Sequence, residues 1–148
     1  MTSDLEALYQ DVIVDHNRHP RNFRTLAAGG KAEGFNPLCG DRLTVYVRVE
    51  NGVIREVSFE GLGCAIAKAS ASLMTESVKG QTMADADALF ERVQRMVTAS
   101  SEAPIDDLGA LSALAGVRRF PVRVKCAMLA WHAMRAATAA SGQVVTTE

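Results

Sequence analysis

Asn51 and Gly52 stand between two stretches that alternate β-branched or aromatic residues with polar ones, LTVYVRVE before them and VIREVSFEG after. Both central residues of the favoured two-residue hairpin turn need positive φ, which Asn and Gly tolerate, and the twist of that turn matches paired strands. The segment therefore predicts a β-hairpin. Side chains alternate between faces along each strand, so one face of this hairpin is apolar and has to be covered.

The cover is expected from stretches of helical period on either side. SDLEALYQDVIVDHNRHP opens with a capping box, Ser3 and Glu6, carries Leu5, Leu8, Tyr9, Val12 and Ile13 at helical spacing, and is stopped by Pro20. A glycine-rich connection with a short strand leads to NPLCGDR. After the hairpin, GLGCAIAKASASLMTESVKG reads as a helix with Cys64 in its first turn and Gly80 at its end. Thr82 and Asp85 give another helix start, followed by the stripe Leu89, Phe90, Val93, Met96 and Val97. LGALSALAGVRRF reads as a short helix and turn, and Pro121 suits the first turn of a long, mostly buried final helix. SGQVVTTE has little to pack and is expected to fray. The order predicts an α+β fold, a small antiparallel sheet of the hairpin plus a short strand, covered on one face by several helices. One domain spans 1–148, with 141–148 as its frayed tail.

The 148 residues suit one domain with a core of its own. A formal charge of -1 offers no general attraction for a phosphate backbone, so nucleic acid is not an expected partner. Nothing in a composition of 48% hydrophobic and 22% charged residues demands a membrane. Acidic residues occupy the start where a secretory leader would be basic, which predicts a cytoplasmic protein. Reduced thiols are the rule there, and three cysteines cannot all pair, so a disulfide framework is a poor account.

What remains for Cys39, Cys64 and Cys126 is metal binding, nucleophilic chemistry or plain burial. In an extended segment Cys39 and Asp41 point to one side. Cys64, after GLG, sits where free helix N–H groups favour a thiolate. Arg123 precedes Cys126 by three residues on one helix face and favours a thiolate there too; Lys125 points away. Three sulfurs and one carboxylate suit tetrahedral zinc. Spacing alone, without any C-x-x-C, favours ordinary core and turn thiols, with Asp41 as a turn cap.

NPLCGD, GLGCAIAKAS and RVKCAMLAW together resemble the three cysteine motifs of the U-type iron-sulfur cluster assembly proteins, and YQDVIVDHNRHPRN resembles their N-terminal helix. The resemblance runs from about Leu8 to Ala136. Lys125 stands where the IscU branch has a histidine, and LGALSALAGVRRFPVR is an added segment similar to the SufU branch. The resemblance implies a zinc-dependent sulfurtransferase that takes persulfide sulfur from a SufS-like cysteine desulfurase and passes it to a downstream iron-sulfur scaffold. Carried over, the zinc ligands are Cys39, Asp41, Cys64 and Cys126, the sulfur acceptor is Cys39, and Arg123 lies near it with a catalytic role. The alternative it implies is a scaffold that builds a [2Fe-2S] cluster on the same residues.

Other polar residues have plainer readings. His16 and His19 suit the negative end of the first helix, exposed Asp15 and Arg21 are candidate desulfurase contacts by the same resemblance, and His132 reads as partly buried. Met74, Met128 and Met134 read as core. Gly61 and Gly63 fit either a loose turn or a close backbone approach to a metal-bound sulfur.

Overall fold

Asn51 and Gly52 take φ values of 52° and 75° and join β2 (Asp41–Glu50) to β3 (Val53–Leu62) as an antiparallel pair. The computed structural model describes residues 4–27, 29–105, 107–139 and 144–146. Ser3 and the side chain of Glu6, the expected capping box, lie outside the described residues.

β1 (Gly30–Asn36) lies antiparallel to β2 and β4 (Val144–Thr146) parallel to β1, giving the order β3-β2-β1-β4. The expected frayed tail is thus corrected at Val144–Thr146, whose backbone pairs with Glu33, Gly34 and Phe35. An unpaired strand edge attracts any nearby extended chain, and Val-Val-Thr suits that state. The sheet is consequently mixed at one edge.

Along β2 burial alternates, with Asp41, Leu43, Val45 and Val47 on the covered face. Ala32 and Asn36 of β1 and Ile54, Val57 and Phe59 of β3 are buried as well. A register shift next to Arg48 and Val49 marks a bulge, which accounts for buried Ile54 lying an odd number of residues from Val57.

α4 (Pro121–Thr138) crosses β1 and β2, while α2 (Ala65–Val78) packs on β3 and on α4. A side chain at Gly34 would come within 3.0 Å of Leu129, so glycine lets α4 approach β1. α1 (Asp4–Arg18) and α3 (Met83–Thr98) complete the helical layer, α1 against α2 and α3 against α4. Thr82 caps α3 by accepting from the Asp85 N–H at 3.0 Å, and Pro121 opens α4. Residues Gly109–Arg119, read as a short helix and turn, form a 3-10 helix. Its buried Leu111, Leu114 and Val117 recur every third residue, which is the period of that helix and not of an α-helix.

Candidate metal centre

Pro37 to Gly40 form the turn between β1 and β2. Gly40 has φ 74° and donates its N–H to Asn36 O at 2.8 Å. Asn36 and Asp41 are register partners on the covered face, exposed by 0% and 1%. Cys39 stands at the exposed tip between them in sequence. Cys39 and Asp41 do meet, then, but through a tight turn and not through the side-to-side alternation of an extended segment.

Cys64 is the N-cap of α2, its backbone extended and its Sγ accepting from the Ala67 N–H at 3.5 Å. The Cys64 N–H donates to Asp41 Oδ1 at 2.8 Å, and its Sγ lies 3.8 Å from Asp41 Oδ2. A side chain at Gly63 would be tight against Ala67 Cβ at 3.2 Å and in ordinary contact with Asp41 Oδ1 at 3.5 Å. The Gly63 backbone therefore lies beside the carboxylate. Gly61 has φ 132°, and a Cβ would meet Arg42 O at 2.1 Å, so it serves the close β2–β3 approach.

Cys126 reaches the same place from α4, buried, with its Sγ 3.3 Å from Cys39 Sγ. Donor atoms of Cys39, Asp41 and Cys126 all lie within 4.8 Å of one another, and Cys64 flanks this trio through Asp41. Tetrahedral zinc with ordinary bond lengths puts sulfur–sulfur pairs about 3.8 Å apart and sulfur–oxygen pairs about 3.6 Å apart. The Cys39–Cys126 sulfur pair at 3.3 Å is closer than its edge and the Cys64–Asp41 pair at 3.8 Å is near its own, so small side-chain shifts would seat the ion, and the sulfur-rich set with one carboxylate suits it. Burial foremost, then Cys39 and Asp41, pushes the Cys126 thiol well above the usual range. A cation among these donors reverses that preference, because a coordinated thiol is deprotonated.

Arg123 is exposed and lines a cleft of about 850 Å³ with Tyr9, Ile13 and Phe120. Asn36 was missed by the sequence reading. Its amide donates to Cys126 Sγ at 3.5 Å; the signal was the alternation that puts it on the face of Ala32 and Gly34. His16, in the last turn of α1, is buried with Nδ1 2.7 Å from Ser72 Oγ. His19 is exposed beside Asp15, which also pairs with Arg21 at 2.6 Å. His132 packs edge-on to Phe90, as a partly buried histidine.

The family model of the NifU-like N-terminal domain matches residues 8–143. The chain belongs to that family. It is 37% identical over 132 residues to the zinc-dependent sulfurtransferase SufU of Bacillus subtilis, covering 89% of this chain and 90% of that protein. It is 36% identical to the iron-sulfur cluster assembly scaffold protein IscU of Streptococcus pyogenes, covering 91% of this chain and 85% of that one. Its fold is similar to the crystal structure of a SUF-system iron-sulfur cluster assembly scaffold protein from Fervidobacterium islandicum, with TM-score 0.80 and 29% identity, covering 90% of this chain and 98% of that one. No helix among the described residues is long and apolar enough to cross a membrane.

Proposed function

We propose that the chain is a zinc-dependent sulfurtransferase of iron-sulfur cluster assembly, with Cys39, Asp41, Cys64 and Cys126 as the zinc ligands and Cys39 as the sulfur acceptor. The observation that carries this reading is the meeting of an exposed thiol, Cys39, with buried Asp41 and Cys126 inside 4.8 Å. Similarity to a relative named a zinc-dependent sulfurtransferase supports it. Bound zinc would hold these thiols deprotonated at neutral pH.

The donor is the persulfide of a SufS-like cysteine desulfurase, and the recipient a downstream iron-sulfur scaffold in the cytoplasm. The Cys39 thiolate attacks the outer sulfur of the donor persulfide. A new S–S bond forms at Cys39, the donor's S–S bond breaks, and the donor cysteine leaves as a thiolate, with no net oxidation. Accessibility favours Cys39 for this step over Cys126, which is 2% exposed. Leu38, next to Cys39, is 63% exposed and Leu62, two residues before Cys64, is 80% exposed, an apolar rim suited to partner contact. The role assigned to Arg123 becomes narrower: its place in the α1 cleft suits contact with the docked donor.

Labelled sulfur transfer from a cysteine desulfurase tests the assignment. Cys39→Ala should drop transfer to the background measured without this protein. Transfer at the wild-type rate would make the centre structural. The same donors are chemically suited to a [2Fe-2S] cluster, the scaffold reading that the IscU relative brings. Anaerobic reconstitution giving a stable cluster that passes intact to an apo acceptor would favour it.

A further inference from the structure

Asn36 is fully buried, yet both ends of its amide are used. The Leu38 N–H lies 3.2 Å from Oδ1, and Cys126 Sγ lies 3.5 Å from Nδ2. A backbone N–H can only donate, so the oxygen must face Leu38 and the NH2 must face sulfur. The Asn36 carbonyl also closes the turn by accepting from Gly40. One residue thus touches the turn that carries Cys39 and the thiol that comes from α4, and its register partner is Asp41.

The sulfurs differ in this respect. Cys126 receives the Asn36 N–H and Cys64 receives the Ala67 N–H. Among the described residues no N–H donates to Cys39 Sγ, whose sulfur contact is Cys126. A donor aimed at sulfur stabilises negative charge there, fixes its direction and draws electron density from it. Such a sulfur stays in place and is a poorer nucleophile.

We propose that Asn36 is a positioning residue of the centre, whose side-chain N–H holds Cys126 Sγ as a fixed donor while its Oδ1 fixes the turn carrying Cys39. Reactivity is thereby confined to Cys39. The proposal rests on reading the cluster as a metal centre, and it does not depend on sulfur transfer.

Two variants separate the two ends of the amide. Asn36→Leu keeps the volume and removes both hydrogen bonds. Asn36→Asp keeps the acceptor for Leu38 and removes the donor to sulfur. The full chain is loaded with zinc or cobalt(II), and chelator competition, the thiolate-to-cobalt charge-transfer band and alkylation of each cysteine by mass spectrometry are read. Both variants should bind zinc about 10- to 100-fold more weakly, the usual effect of losing an outer-shell partner. The cobalt band should move to longer wavelength, and Cys126 should alkylate faster than in the wild type.

Wild-type zinc affinity together with wild-type Cys126 alkylation in Asn36→Asp overturns the proposal. So does a change confined to Cys39, since Asn36 then only shapes the turn. Should Asn36→Leu fail to fold, Asn36→Asp decides alone. A wild type that holds zinc but transfers no sulfur removes the proposed function and leaves Asn36 in its role; one that binds neither metal overturns both.

Discussion

Trp131 is wholly buried in α4, and its indole N–H donates to Ser70 Oγ at 3.1 Å. That hydroxyl in turn donates to Ala127 O at 2.6 Å, so Ser70 ties α2 to α4 twice. Ser70→Ala strands a buried N–H, which costs about 1–3 kcal/mol. Urea denaturation should show a lower midpoint with an unchanged slope; an unmoved midpoint would remove any role for this contact. Such links depend on tertiary neighbours, and the same limit governed the site. The meeting of Cys39, Asp41 and Cys126, with Cys64 beside Asp41, was legible because their chemistry travels with the residue type in a recognisable motif. Asn36 was not, because an asparagine before a proline is ordinary turn chemistry until α4 brings Cys126 against it. Arg123 was read from helix-face spacing, which places it relative to its own helix and says nothing of the cleft into which α4 turns it.

Cys64 serves α2 as its cap and the centre as a candidate donor, and substitution can separate the two. Serine and cysteine both offer a side-chain acceptor to the free N–H groups of a helix start, and serine is among the preferred caps. Cys64→Ser should therefore leave metal-free stability at or above the wild-type value, while Cys64→Ala loses the cap and about 1 kcal/mol. Both should lose most of the zinc-dependent rise in stability. Thermal melts with zinc and with chelator check this, and a wild-type zinc response in Cys64→Ser would remove Cys64 from the ligands. Caps were the readable part of these helices, since Thr82 acts on Asp85 three residues away. The hairpin was readable for the same reason, Asn51 and Gly52 being local φ signals. β4 was not, because three strand-compatible residues are too short a run to signal a strand until the β1 edge pairs with them. The segment Gly109–Arg119 was legible as a short helix, and the three-residue period of Leu111, Leu114 and Val117 carries its 3-10 type.

The helical layer carries two histidines whose titration couples its packing to pH. His16 joins α1 to Ser72 of α2, and His132 joins α4 to Phe90 of α3. Burial is the main cause that lowers each from 6.5; Arg21 adds to it at His16 against the opposing pull of Asp15 and Glu76, and Arg135 adds to it at His132. The native state therefore keeps both neutral at a pH where the unfolded chain already takes up protons. Stability from this source is complete above about 6.5, the unfolded value, and is lost as pH falls toward the lowered native values. The slope is at most about 1.4 kcal/mol per pH unit for each histidine, and solvent access reduces it. Asp15, lowered mainly by its hydrogen bond to Arg21, acts in a separate window, since an acid of this kind loses its contribution only below about pH 4. Bound zinc would add its own acid sensitivity, because its ligands must lose protons to bind, so the metal-free protein is the one to titrate. Urea midpoints of the chelator-treated protein should fall between pH 7.5 and 5.5, and a His16→Asn, His132→Gln double variant should show a flatter profile over that interval whatever its absolute stability. A wild-type midpoint that stays level across those two pH units would mean that neither histidine is held neutral by the fold.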